Sequence, residues 1–215
     1  VPVVDEYVLF DVDTPADYRK LTASYRKYEI PTIDESLVLL ELKAGGDQRL
    51  LEHSRAVANV ALDLANALNR SGCRMDLDLI GAAGLLHDLA RGEPKHARAG
   101  AEMLRSLGYP AVAEVVGAHM DLTVTDDTPL RPHEVVYLAD KLIQGSRAVP
   151  LETRFRERLE RYAHDPKVYA AITSRQTTAL KIKQRMEQRL GFSLESLLKE
   201  EPNLDAHRRN GSLGG

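Results

Sequence analysis

Leu-Asp-Leu-Ile-Gly-Ala-Ala-Gly-Leu-Leu-His-Asp-Leu-Ala, residues 77–90, decides how this chain is read. It is apolar on almost every side, so a helix here lies at the centre of a bundle. Asp76 supplies an N-cap, and the helix is expected to run to about Ala90. His87 and Asp88 close it in a setting with no room for unsatisfied polar groups. Burying a carboxylate without a partner costs several kcal/mol, and a buried imidazole also needs its nitrogens satisfied. Neighbouring helical residues point about 100° apart, so both can reach one site only near the bundle axis.

Upstream, Leu50, His53, Val57, Val60, Leu64 and Leu68 recur at steps of three and four, one buried helical stripe with His53 inside it. Downstream, a helix over about His96–Leu107 stops at Gly108, and Pro110 opens another through about His119. A polar loop covers 121–131, and Pro132 opens a helix through Ile143 that carries Asp140 on the face of Val136. Helices over about Leu151–Ala163 and Pro166–Leu190 follow, the last stopped by Gly191. No strand alternation is visible after residue 43. The fold class is all-α: a helical bundle with a short extended or helical N-terminal appendage.

That appendage has a strand-like Tyr7–Phe10 and a helix opened by Thr14 and Pro15 through about Tyr28. Pro31 breaks it, and a short apolar helix, Leu37–Leu42, precedes Gly45 and Gly46. The expected organisation is 1–43 as an appended remnant, 44–200 as the main domain and 201–215 as a disordered tail.

The 215 residues suit one domain with short appendages. A net charge of −3 gives no general basic face for nucleic acid. No apolar run is long enough to span a bilayer, and no secretory segment opens the chain. One cysteine, Cys73, forms no internal disulfide framework and fits a reducing, cytoplasmic setting. The first residue is Val, so the chain is expected to be a piece of a longer polypeptide.

Each inward His or Asp alone has an ordinary reading, as a satisfied core histidine or a carboxylate paired with Arg. Together, His53, His87, Asp88 and Asp140 placed inward from separate helices call for one shared partner. A divalent cation satisfies them all, and imidazole with carboxylate suits iron, manganese or zinc better than calcium.

His53, Gly-Leu-Leu-His-Asp at 84–88 and Val-Val-Tyr-Leu-Ala-Asp-Lys at 135–141 resemble the HD superfamily of metal-dependent phosphohydrolases. The resemblance covers residues 48 to 150, with the order H…HD…D. It implies an all-α fold in which His53, His87, Asp88 and Asp140 are metal ligands. His96 and His119 fall where two-metal members carry two further histidines, with Asp88 bridging the ions. The Tyr-Leu-Ala-Asp run is similar to HD-type diadenosine tetraphosphate hydrolases. Many members have Lys three residues after the HD pair; Arg91 stands here, keeping the charge and adding a bidentate fork suited to phosphate. Gly108-Tyr109-Pro110 spells the tag of the cyclic-di-GMP phosphodiesterase branch without its His-His-Glu context, and reads as turn chemistry.

The implied activity is hydrolysis of a phosphoester or phosphoanhydride in a small phosphorylated metabolite, a nucleotide first, by metal-activated water. One or two ions are expected, with Asp88, Arg91 and Lys141 as catalytic groups. Arg91, Lys95 and Arg147 are the expected substrate-binding cations. A homodimer is left open.

Val-Pro-Val-Val-Asp and Phe-Asp-Val-Asp-Thr-Pro-Ala-Asp-Tyr at 10–18 are similar to the closing segment of molybdenum-cofactor nucleotidyltransferases. Their glycine-rich nucleotide signature is absent here, which implies fusion to such a domain in the full-length protein. Two other readings compete. One is a non-catalytic metal- or nucleotide-binding regulatory module fused to that nucleotidyltransferase, against which the intact ligand set and Arg91 weigh. The other is an oxygenase, since some two-iron members of the superfamily oxidise their substrates.

Overall fold

The computed structural model describes residues 11, 13–17, 29–125 and 128–197. The expected strand at Tyr7–Phe10, most of the 15–28 helix and the tail at 201–215 lie outside them. What is described of the first helix is its start. The Thr14 N–H donates to the Asp17 carboxylate at 3.0 Å, and the Asp17 N–H donates to Thr14 Oγ1 at 3.1 Å. Thr14 thus caps the turn, as its sequence position implies.

Among the described residues the elements are helices with one small hairpin. They are α1 (Ile33–Ala44), α2 (Gln48–Arg70), α3 (Leu77–Leu86), α4 (His96–Ser106), α5 (Pro110–Ala118) and α6 (Pro132–Leu142). A hairpin β1 (Ile143–Gln144) and β2 (Arg147–Ala148) follows, then α7 (Leu151–Arg161), α8 (Pro166–Leu190) and α9 (Leu194–Leu197). No described helix is long and apolar enough to cross a membrane.

Capping explains most boundaries. Thr32 and Glu35 form a capping box that starts α1 four residues before the apolar run Leu37–Leu42. Asp47, Asp76 and Asp165 each accept backbone N–H groups at the starts of α2, α3 and α8. Gly45 and Gly191 end α1 and α8 in left-handed conformations.

The core gathers around α3 and α6. In α3, Ile80 to Leu86 are all buried, and in α6 every residue from Glu134 to Leu142 is. Helix α2 packs along both with Val57, Ala61, Leu64 and Leu68. Its approach to α3 is set by Gly84, where an added Cβ would sit 2.7 Å from the Cα of Ala58. Only glycine lets the two backbones come this close.

Helix α1 extends to Ala44 and puts Leu39 and Leu40 into the common core. One expectation is corrected. Helix α3 ends at Leu86 rather than Ala90. Beyond it the Leu89 N–H turns back to the Leu86 carbonyl and the Arg91 N–H to the Asp88 carbonyl, three residues each. Gly92 at φ +100° and Pro94 then carry the chain away from any helical continuation. The hairpin is a further difference from the strand-free reading. It is two residues per strand, too short for alternation to register, and Gly145 at φ +64° turns it.

Candidate metal centre

Four imidazoles stand in a row through the bundle: His53 from α2, His87 after α3, His119 after α5 and His96 at the start of α4. Successive ring centroids lie 5.2 Å, 5.3 Å and 5.2 Å apart. His87 and His119 both occupy the C-cap of a helix ending in a buried face. Each uses the same local device. His87 Nδ1–H donates to the Gly84 carbonyl at 2.8 Å, and His119 Nδ1–H donates to the Val116 carbonyl at 2.7 Å, three residues back in both cases. His53 is anchored over a longer path, with Nδ1–H donating to the Gly145 carbonyl at the hairpin tip, 2.8 Å away.

A carbonyl only accepts, so these three bonds place the proton on Nδ1 and leave a lone pair on each Nε2. All three Nε2 atoms face carboxylates. His53 Nε2 lies 3.4 Å from Asp140 Oδ1, and His87 Nε2 lies 3.8 Å from the same oxygen and 3.7 Å from Asp88 Oδ2. His119 Nε2 and His96 Nε2 lie 3.5 Å and 3.4 Å from Asp88 Oδ1, and 3.3 Å from each other. Acceptors have been gathered against acceptors. His87 Nε2 is fully buried and has no hydrogen-bond partner at all. An electron-pair acceptor between these atoms resolves the conflict, and the imidazole–carboxylate donor set suits a divalent transition metal. The residues fit such an ion.

Two groups of three have donor atoms within 4.8 Å of one another: His53, His87 and Asp88, and Asp88, His96 and His119. Asp88 belongs to both. Asp140 flanks the first group but is engaged from behind. Lys141 Nζ donates to Asp140 Oδ2 at 2.6 Å, and the Arg154 guanidinium lies 3.6 Å from Oδ1.

Burial and charge set the protonation states. Burial pushes His87 down to about 4, outweighing the neighbouring carboxylates, so its ring is neutral near pH 7. Burial favours the protonated forms of Asp88 and Asp140, but their neighbours outweigh it. The His119 imidazole first, then that of His87, holds Asp88 below the ordinary carboxylate range. The Lys141 ammonium first, then the His53 imidazole, holds Asp140 well below it. Both carboxylates are ionised.

The expected substrate-facing cations divide. Arg91 stands at the rim, its side chain 54% exposed and NH1 3.5 Å from Asp88 Oδ2. Lys95 is exposed, immediately before His96, with φ +54°, a left-handed backbone that no other described non-glycine residue adopts. Arg147 is exposed on the hairpin, two residues after Gly145. Lys141 does not stand at the opening. It is 2% exposed, and its ammonium is held by Asp140 and by the His119 carbonyl at 3.0 Å. A Lys after a buried Asp on α6 points into the wall and holds Asp140, rather than standing at the opening where a catalytic cation was expected. Asp121, two residues after His119, is exposed and pairs through both oxygens with Arg175 of α8, away from the histidines.

Arg154 is the residue that the sequence reading missed. Its NH1 donates to the carbonyls of Asp140 and Ile143. A signal exists: Leu151, Arg154, Phe155 and Arg158 share one face of α7, so a guanidinium sits within the stripe that Leu151 and Phe155 bury.

Comparison with known proteins agrees with this geometry. A family model described as HD domain matches residues 50–145, a span that includes all six His and Asp side chains. An uncharacterized protein of Methanocaldococcus jannaschii is 31% identical over 132 residues, covering 52% of this chain and 78% of that protein. No solved structure matches the chain.

Proposed function

The chain belongs to the HD-domain family, and from that premise we propose a phosphohydrolase that cleaves a phosphoester or phosphoanhydride of a small phosphorylated metabolite, a nucleotide in the first instance. HD domains are metal-dependent hydrolases in general, so the finer content of the proposal is the ligand set, the number of ions and the substrate. The observation that carries it is Asp88, whose carboxylate takes part in both candidate metal groups. This supports a two-ion centre with His53, His87 and Asp140 on one side, His96 and His119 on the other, and Asp88 between them. It also favours the two-metal type similar to the diadenosine tetraphosphate hydrolases over a single-ion site.

When bound, divalent ions supply Lewis acidity, neutralising phosphoryl charge and acidifying water. The protein's own groups do the rest. The carbonyl-anchored histidines present Nε2 lone pairs in fixed directions, which removes the entropy of ordering them. Asp88, kept ionised, offers a carboxylate oxygen to each of the two groups. Arg91 at the rim offers two parallel N–H groups to a phosphoryl oxygen pair, with Lys95 beside His96 and Arg147 on the hairpin as further cations. The resemblance at residues 10–18 supports fusion to a nucleotidyltransferase domain in the full-length protein.

The test is metal analysis of purified protein alongside His87→Ala, then Mn²⁺- or Fe²⁺-dependent phosphate release from a nucleotide panel. Bound metal lost in His87→Ala, with turnover of a nucleotide, is the expected result. Metal-loaded protein inert across a broad panel would sink the hydrolase reading. Nucleotide affinity without turnover would point to a regulatory module, and oxygen uptake by the ferrous protein to an oxygenase.

A further inference from the structure

We infer that Arg154 is a positioning residue: it fixes Asp140 against the His53–His87 side of the metal centre without touching the substrate. The inference rests on the two-ion reading above, but no part of the matched HD span contains Arg154, since that span ends at residue 145.

Three contacts converge on one guanidinium. NH1 donates to the Asp140 carbonyl and to the Ile143 carbonyl, and NH2 lies 3.6 Å from Asp140 Oδ1. The Asp140 carbonyl lies in the last turn of α6, where it also accepts from the Ile143 N–H, and the Ile143 carbonyl lies one residue past the helix, at the start of β1. Arg154 therefore caps α6 from another helix and takes hold of Asp140 by backbone and side chain together.

The support behind Arg154 is rigid. Leu151 and Phe155 flank it and are 1% and 2% exposed, so α7 is pinned on both sides of the guanidinium. Lys141 approaches the opposite oxygen of Asp140 at 2.6 Å. Between them the two cations fix the rotation of the carboxylate and leave Oδ1 directed at His53 and His87, 3.4 Å and 3.8 Å away. The same arginine holds Ile143, the first residue of the hairpin whose Gly145 carbonyl sets the His53 tautomer. Two side chains of the centre are thus oriented through one residue that faces neither the opening nor the row of Nε2 atoms.

Lysine cannot reproduce this, because one ammonium cannot span two carbonyls and a carboxylate in a planar fork. The experiment compares wild type, Arg154→Met and Arg154→Lys with Leu151→Ala, which loosens α7 but keeps the guanidinium. Co²⁺ is titrated into each, reading affinity by calorimetry and coordination by visible absorption, with folding followed by circular dichroism. Expected is a Co²⁺ affinity roughly 10- to 100-fold weaker in Arg154→Met, the usual scale for losing a group that orients a metal ligand. A changed absorption band, partial recovery in Arg154→Lys, and near-normal affinity in Leu151→Ala are expected with it. If Arg154→Met does not fold, the Arg154→Lys titration decides alone. Wild-type affinity and spectrum in a folded Arg154 variant overturn the inference while leaving the two-ion reading intact. A wild-type protein that binds no Co²⁺ overturns the reading itself. Where turnover is measurable, kcat falls with KM unchanged; a raised KM at constant kcat would make Arg154 a substrate contact and also overturn it.

Discussion

The two halves of the centre are built from the same residue types but differ in how they are enclosed. On the His53 side, His87 is 1% exposed and Asp140 is braced by Lys141 and Arg154. On the His96 side, the imidazole of His96 is 28% exposed and the adjacent Arg91 and Lys95 reach water. In the first half the anchoring carbonyls and the two cations set orientation before any ion arrives. Exposure at His96 leaves the second half reachable from solvent. One centre thus separates holding from admitting, and Asp88 is the only side chain common to both candidate groups.

The sharpest way to break that division is to remove the shared group. Asp88→Ala is expected to empty both halves and reduce turnover to background, whereas His119→Ala should remove one equivalent of metal and leave the His53 side loaded. Elemental analysis of the two variants separates the outcomes. Equal stoichiometry in both would mean that the halves do not depend on a common carboxylate.

Acid tests the enclosed half. Folding lowers the His87 pKa from 6.5 to about 4. Above pH 6.5 neither state binds this proton. Between 6.5 and 4 the unfolded chain takes it up and the folded protein does not, so stability falls as pH falls. The full window is worth about 3 kcal/mol in metal-free protein. Urea titrations of chelated protein across that window check it, and His87→Gln should flatten the slope. A slope that persists in the variant would locate the titration elsewhere.

Steric wedging is the next effect. Gly84→Ala puts a Cβ against the Ala58 backbone, and overpacking of this kind costs about 1–3 kcal/mol. It also spreads α2 from α3, and with them His53 from His87. Thermal unfolding reads the first consequence and Co²⁺ affinity the second. The smallest effect belongs to the exposed side: Asp121→Asn breaks a surface pair with Arg175 worth about 0.2–1 kcal/mol. Turnover should not change, and a large loss would place Asp121 in the site.

What the sequence made legible follows the same division. His53, His87, Asp88 and Asp140 stood out because polar groups on apolar stripes are costly, and the structure brings them together. Helix starts at Asp76, Pro110, Pro132 and Pro166 were readable because caps and prolines act locally. The early end of α3 was not, since it comes from tight turns after Leu86 that no single breaker marks until Gly92. Nor was the hairpin, whose strands are shorter than any alternation. The burial of Lys141 and the part of Arg154 were not legible for one reason. A cation beside a carboxylate can face water or face inward, and only the packing of α6 and α7 decides which.

The bond from His53 to Gly145 joins positions 92 apart in the chain. Closing so long a segment is entropically costly and happens only when most of the bundle has assembled. A nascent polypeptide still on the ribosome therefore lacks one correctly oriented imidazole until residue 145 has emerged and docked. A cation that needs the oriented His53 would therefore meet a finished cavity rather than a loose chain during synthesis.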